Sequence, residues 1–297
     1  CCDVAQGRGA VAAFDQQRVP LPQLLEAIQK RNGTVLLGDG SYGILPEQWI
    51  REFAPLALGT REGDHLRFEQ NQVAILDALL AARPAVSWDD KASAARARLR
   101  AFDSIAPLDP PASFTGTLRD YQREGLGWLQ FLREFGFGGC LADDMGLGKT
   151  VVVLALLDAR RQAREKEGRK PQPSLVVVPR SVLFNWQQEA ARFAPRLRVL
   201  DFSGADRSER MPQIADSDLV IVTYGTLRRD AAALSEVEFD YVVLDEAQTI
   251  KNANTAAAKA ARLLRGQHRL ALSGTPVENR LGDLWSLFEF LNPGLLS

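Results

Sequence analysis

The octapeptide Asp143-Asp-Met-Gly-Leu-Gly-Lys-Thr150 follows an apolar run at residues 140–142 and opens a helical stretch that begins at Val151. A strand, a tight glycine-bearing turn and a helix in immediate succession restrict the chain to few folds, and they suit a phosphate-binding loop. Gly146 and Gly148 carry no Cβ, so backbone N–H groups can face an anion, and the helix start adds the favourable end of its dipole. Asp144, Met145 and Leu147 complete the loop. Lys149 would reach the β- and γ-phosphates of a nucleotide, and the Thr150 hydroxyl would ligate Mg²⁺. The spelling departs from the general Walker pattern at its first position, where Asp143 replaces Gly. Read alone, the octapeptide could be a Gly-rich turn that caps a helix; its setting favours the phosphate loop.

The rest of the second half has the pattern such a loop requires. Short β-branched runs at 140–142, 175–178, 219–223, 241–244 and 269–272 alternate with amphipathic segments such as 182–193 and 255–264. Several runs are apolar without alternation, as expected of strands buried on both faces of a parallel sheet. The expected fold is α/β, a parallel sheet with helices on both faces and ligands at the carboxyl ends of the strands. Trp186 and Trp285 fall at helical spacing among apolar neighbours and are assigned to core packing rather than base stacking.

A concentration of Pro, Ser, Thr and Gly at 106–117 reads as a linker between two domains, 1–105 and 118–297. In the first, Leu24, Leu25 and Ile28 repeat at helical spacing, and residues 34–37 and 42–45 look like strands around the turn Gly38-Asp-Gly40. Asp89 and Asp90 could cap a helix through 92–102. This is a small α+β module without a catalytic constellation. A chain of 297 residues is long enough for two cores, and no apolar run approaches the roughly 18 uncharged residues of a membrane span. With no leader pattern either, the expectation is a cytoplasmic protein without a membrane partner. The chain begins with Cys1 and Cys2 rather than Met, as a piece of something longer would. Three cysteines, the third being Cys140, and two histidines, His65 and His268, show no spacing for a disulfide framework or a zinc site. Residues 1–114 carry 12 basic and 14 acidic side chains and residues 115–297 carry 24 and 23, so charge alone does not announce nucleic acid.

A second chemical signal lies about one hundred residues beyond the loop. Tyr241-Val-Val-Leu-Asp-Glu-Ala-Gln248 is an apolar strand ending in two adjacent carboxylates. Side chains alternate along a strand, so the two can do different work. Asp245 would hold the Mg²⁺ shell, and Glu246 would orient and deprotonate the attacking water.

Leu118-Arg-Asp-Tyr-Gln122, the phosphate loop, Asp245-Glu-Ala-Gln248, Leu272-Ser-Gly-Thr-Pro-Val-Glu-Asn279 and Leu284-Trp-Ser-Leu-Phe-Glu-Phe-Leu291 occur in this order. As a set, over roughly residues 115–297, they resemble the Swi/Snf-like ATPases of helicase superfamily two, of bacterial type. The resemblance implies a RecA-like P-loop fold and ATP with Mg²⁺ as ligands. It gives Gln122 the reading of adenine, through a carboxamide that can serve N7 and N6 together, with Arg119 and Tyr121 shaping that pocket. Gln248, where the family more often has His, corresponds to the residue that senses the γ-phosphate. Ser273 and Thr275 correspond to the box that couples nucleotide state to the DNA track, in a turn that Gly274 and Pro276 also favour. For contact with DNA phosphates it implies Pro179, Arg180 and Ser181, then Thr223 and Tyr224, then Lys251 and Asn252, positions suited to holding a duplex without reading its sequence.

The partners so implied are double-stranded DNA, an unspecified protein on that DNA, and a second RecA-like lobe of the same parent chain that supplies arginine fingers. No such lobe follows within these residues. The first module resembles an accessory segment of bacterial members, and a nucleoid association follows from the DNA. Three functions remain open: the first lobe of a duplex-translocating, remodelling ATPase; a strand-separating helicase; and a module that binds nucleotide or a partner without turnover.

Overall fold

A computed structural model describes residues 2–4, 11–14, 17–29, 33–47, 50, 59–62, 65–68, 72, 76–77, 90–275 and 281–295. The chain divides into two units, Cys1–Asp103 and Ser104–Leu296. The first carries β1 (Cys2–Val4), β2 (Val11–Phe14), β3 (Gln17–Pro20), β4 (Thr34–Leu36), β5 (Tyr42–Ile44), β6 (Thr60–Glu62) and β7 (His65–Phe68), with α1 (Leu21–Gln29) and α2 (Asp90–Arg100). β1, β7 and β6 form an antiparallel sheet, while β2–β3 and β4–β5 are separate antiparallel pairs. The turn expected at 38–40 joins β4 to β5, and Gly40 takes the left-handed conformation there (φ 87°). Asp90 stands in the first turn of α2; Asp89 lies outside the described residues.

The second unit is built on six parallel strands: β8 (Gly139–Leu141), β9 (Ser174–Val178), β10 (Val199–Asp201), β11 (Leu219–Thr223), β12 (Glu238–Leu244) and β13 (Arg265–Leu272), in the order β10-β11-β9-β12-β13-β8. The longer helices are α3 (Asp120–Phe135), α4 (Lys149–Lys166), α5 (Leu183–Phe193), α6 (Tyr224–Ser235), α7 (Ala256–Leu263) and α8 (Leu281–Leu291). Side-chain alternation feeds two cores. Val176, Val178, Leu219, Ile221, Tyr241 and Val243 meet apolar residues of α3, α4 and α5 on one face. Leu175, Val177, Val220, Val222, Val242 and Leu244 meet those of α6, α7 and α8 on the other. Burial on both faces explains why these strands are apolar at every position.

The structure extends the expected strands at 241–244 and 269–272 backward to Glu238 and Arg265. It adds the edge strand β10, whose three residues, Val199-Leu-Asp201, are too few to declare themselves in sequence. Trp186 is fully buried, as expected. Trp285 is a correction: it is 41% exposed, because α8 turns Leu287, Phe290 and Leu291 to the core. Apolar residues surround that helix, so spacing alone could not say which face is covered. Residues 106–117 belong to the second unit and pack on its helices α3 and α5. Phe114 stacks on Phe193, with centroids 5.9 Å apart, and the Thr115 N–H donates to Phe193 O at 2.7 Å. The Leu108 N–H donates to Arg123 O at 3.0 Å. No helix among the described residues is long and apolar enough to cross a membrane.

Polar groups are buried at the amino ends of the strands. Asp240, 1% exposed, accepts from Arg160 Nε and Nη2 at 3.0 and 2.9 Å and pairs with Arg164. His268 packs on Tyr241, ring centroids 4.8 Å apart. Burial pushes the imidazole down from its ordinary 6.5 to about 4, although the Asp240 charge acts the other way. The unfolded chain therefore takes up a proton near pH 6.5 that the folded chain refuses until about pH 4. This contribution to stability is complete above pH 6.5 and is lost as pH falls through that window. His268→Gln should flatten the decline in urea midpoint between pH 7 and 4; a decline as steep as in the wild type would contradict the assignment.

Candidate active site

Arg119–Gln122 stand at the start of α3, and the phosphate loop, Pro179–Ser181, Thr223–Tyr224, Asp245–Gln248 and Ser273–Thr275 stand at or just beyond the carboxyl ends of β8, β9, β11, β12 and β13. Parallel pairing brings those ends to one edge. β8 delivers the loop 142–148, in which Gly146 (φ 85°) and Gly148 (φ 78°) adopt left-handed backbone. Gly148 has a second reason to be glycine, since a Cβ there would lie 2.6 Å from Gln122 Nε2. Lys149 heads α4, and its Nζ donates to the carbonyls of Asp143 (2.6 Å) and Asp144 (3.1 Å). The ammonium is thus folded over its own loop. Met145 is 71% exposed at the tip, and a Cβ on Gly274 would come within 3.3 Å of its side chain.

Gln122 is buried and joins the start of α3 to the loop: its Oε1 accepts from the Arg119 N–H at 3.0 Å and its Nε2 donates to Leu147 O at 3.1 Å. The Tyr121 hydroxyl donates to the same carbonyl at 3.1 Å. A primary carboxamide has two N–H donors and two acceptor lone pairs, so Gln122 retains one of each for a ligand. Beside it a groove of about 610 Å³ is lined by Ile105, Pro107, Tyr121, Glu124, Trp128 and the segment 140–143.

The carboxylate pair lies beyond the end of β12. Asp245 Oδ1 accepts from the Glu246 N–H at 2.9 Å, and Oδ2 accepts from Trp186 Nε1 at 2.8 Å. Burial pushes the Asp245 carboxyl above the usual range, against the opposing effect of those two donors; the nearby Lys149 charge also lowers it. Glu246 has a φ of 49°, and among the described residues it alone combines a side chain with left-handed backbone. Such a residue costs about 1–2 kcal/mol. Sequence reading gave the two carboxylates separate directions through strand alternation; here the strand has ended, and the turn at Glu246 separates them.

From Glu246 a chain of hydrogen bonds crosses to the next strand. Gln248 Nε2 donates to Glu246 Oε2 at 2.6 Å, Ser273 Oγ donates to Gln248 Oε1 at 2.9 Å, and the Thr275 N–H donates to Ser273 Oγ at 3.1 Å. Ser273 is buried. Pro276, expected to help form this turn, lies outside the described residues.

The turns expected to meet DNA phosphates divide in two. Pro179 precedes the 3-10 turn Arg180–Val182, and Arg180 and Ser181 are exposed, as are Lys251 and Asn252. The Thr223 hydroxyl caps α6, accepting from the Thr226 N–H at 3.1 Å. The Tyr224 side chain is buried, and its hydroxyl donates to Asp245 O at 2.8 Å, which leaves only its main chain to meet a phosphate. An aromatic ring at a strand exit packs against the neighbouring strand end before it reaches the surface. Sequence reading missed both Tyr224 and Trp186 as partners of Asp245. A buried indole N–H needs an acceptor, but which one follows only from the adjacency of β9 and β12.

The residues expected to hold a metal, Asp245 just beyond the end of β12 and Thr150 in the first turn of α4, offer oxygen donors only. That donor set suits a hard divalent cation such as Mg²⁺. No cluster of three His, Cys, Asp or Glu for a metal occurs among the described residues. Burial pushes the Cys140 thiol up to about 11, away from a metal-binding thiolate.

The chain is similar to proteins of known description. Over 202 residues, 67% of this chain and 22% of the relative, the protein is 46% identical to the putative ATP-dependent helicase/translocase YwqA of Bacillus subtilis. It is 38% identical over 199 residues to the TATA-binding protein-associated factor MOT1 of Saccharomyces cerevisiae, covering 64% of this chain and 11% of that one. The SWI2/SNF2 ATPase core of Sulfolobus solfataricus, solved in complex with dsDNA, superposes with a TM-score of 0.58 at 45% identity, over 66% of this chain and 39% of that one. The chain thus spans about a fifth or less of the length of these two sequence relatives. The model of the SNF2-related domain matches residues 121–297, and the chain belongs to that family.

Proposed function

We propose that residues 118–297 are the ATP-binding first motor lobe of a DNA-dependent ATPase that translocates on double-stranded DNA and remodels protein–DNA complexes. Residues 1–105 are its accessory domain, and 106–117 the connection. The observation that carries this reading is the line Glu246–Gln248–Ser273–Thr275, a continuous set of hydrogen bonds from one carboxylate of the pair to the box beyond β13. That line joins the carboxylate expected to act on water to the box expected to couple nucleotide state to the track. The Sulfolobus core solved with dsDNA supports a duplex as the track, and the name of MOT1, a TATA-binding protein-associated factor, supports a DNA-bound protein as a partner. The reading implies a cytoplasmic, nucleoid-associated protein.

The residues divide the work. Backbone N–H groups of 146–150 receive the phosphates, and Lys149 exchanges the carbonyls of Asp143 and Asp144 for phosphate oxygens. The remaining donor and acceptor of Gln122 meet adenine, in the pocket formed with Arg119 and Tyr121. Asp245 and Thr150 would hold Mg²⁺, which neutralises phosphate charge when bound. Glu246 keeps Oε1 for a water while Oε2 is held by Gln248, and it takes the proton of that water as the phosphate is attacked. Pro179, Arg180, Ser181, Lys251 and Asn252, with the main chain at Thr223 and Tyr224, line the track. A second RecA-like lobe of the parent chain supplies the arginine fingers.

Lys149→Ala should weaken Mg-ADP binding about 10- to 100-fold in calorimetry, the worth of a hydrogen bond to a charged group; equal affinity would remove Lys149 from the site. The 297 residues alone should release phosphate slowly even with duplex DNA, because an arginine finger is worth about 10³–10⁵ in rate. Joined to a second lobe, the chain should show DNA-stimulated release. Glu246→Gln should abolish that release while nucleotide affinity is retained. Vigorous release by the monomeric 297-residue chain, or unimpaired release by the variant, would contradict these assignments.

A further inference from the structure

Asp245 is held from two directions by aromatic side chains that belong to other segments. Trp186, fully buried in α5, donates its indole N–H to Oδ2 at 2.8 Å. Tyr224, the first residue of α6, donates its hydroxyl to the Asp245 main-chain oxygen at 2.8 Å. The Asp245 N–H in turn donates to Val177 O at 2.9 Å, which fixes the residue beside the end of β9. Trp186 follows the turn Arg180–Val182, and Tyr224 follows Thr223 directly. Each segment that leaves the carboxyl end of β9 or β11 therefore ends its first turns on the same residue.

We propose that Trp186 and Tyr224 are positioning residues that set the Asp245 carboxylate for its metal and tie it to the turns at 179–182 and 223–226; this rests on the reading of Asp245 as a metal-holding group. An indole N–H can only donate, so Trp186 favours an ionised oxygen opposite it, and a side chain this large, packed at 0% exposure, cannot turn without opening a cavity. Oδ2 is thereby restricted to the lone pair that Trp186 leaves free. Tyr224 acts on the backbone, where the chain passes from β12 into the left-handed turn at Glu246. A shift of either turn must move Asp245 or break one of the two hydrogen bonds. That gives the exposed Arg180 and Ser181 a mechanical path to the metal without touching it. Were Trp186 core packing alone, its indole N–H would need some acceptor, but metal affinity would be indifferent to which.

The test is the Mg²⁺ affinity of the ADP-saturated chain, with ADP affinity in EDTA as the metal-free reference, for the wild type, Trp186→Phe, Tyr224→Phe and Asp245→Asn. Loss of a group that orients a metal ligand typically weakens metal affinity about 10- to 100-fold. Trp186→Phe should show that loss with metal-free ADP affinity kept within about twofold, and Tyr224→Phe should shift Mg²⁺ affinity in the same direction. Should Trp186→Phe not fold, the assigned indole N–H resonance of Trp186 in the wild-type ADP complex is expected to move on adding Mg²⁺. Unchanged Mg²⁺ affinity in both Phe variants, or an unmoved indole resonance, overturns the proposal. If Asp245→Asn itself leaves Mg²⁺ affinity intact, the reading of Asp245 has failed, and the positioning role falls with it.

Discussion

Burial of the parallel sheet on both faces is the constraint from which the rest of the second unit follows. Strands β9, β11 and the inner part of β12 have no solvent-facing side, so their side chains are apolar on both alternations. Polar chemistry is then confined to strand ends, and parallel pairing gathers the carboxyl ends of all six strands on a single edge. The phosphate loop, the carboxylate pair, the Ser273 turn and the turns at 179–182 and 223–226 are neighbours for that reason. The amino ends are built differently. There, Asp240 pairs with Arg160 and Arg164; within α4, buried Asp158 pairs with Arg161 and accepts from the Ser113 hydroxyl.

On the carboxyl edge, polar side chains are spent on one another. Lys149 rests on loop carbonyls, Gln122 on Leu147 and Arg119, Gln248 on Glu246 and Ser273. These are exchangeable partners, each on a group that retains capacity for another. Glu246 is the exception in backbone terms, since its left-handed conformation is held by the surrounding contacts at a local cost. Strain of this kind is sustained where neighbours over-determine a residue. Asp245 beside it has a neighbour on each carboxylate oxygen and on both of its backbone polar groups.

Much of this was legible in the sequence because spacing along the chain carried it. The loop at 143–150 and the pair Asp245-Glu246 combine a strand with an abrupt change to polar residues, and the order of the boxes supplied the family. What was not legible depended on contacts between strands far apart in sequence. Trp186 read as core and is core, yet 59 positions separate it from the carboxylate it holds. The resemblance placed Tyr224 among the DNA contacts, but that its hydroxyl would reach the main chain at the end of β12 could not be read from it. Trp285 read as buried because helix spacing counts apolar residues without saying which face another element covers. Strand β10 escaped because an edge position needs only three residues and tolerates charge on either side.

The account stands on one geometric claim, that the oxygen of Thr150 and the carboxylate of Asp245 hold a divalent cation against phosphates cradled by residues 146–150. Crystals grown with ADP and Mn²⁺ in place of Mg²⁺ test it directly through anomalous scattering. The account predicts one strong anomalous peak within coordination distance of Thr150 Oγ1, adjoining Asp245, with the diphosphate over the loop and Gln122 facing the base. A nucleotide bound with its phosphates elsewhere, or bound at the loop with the manganese peak away from Thr150 and Asp245, would contradict it.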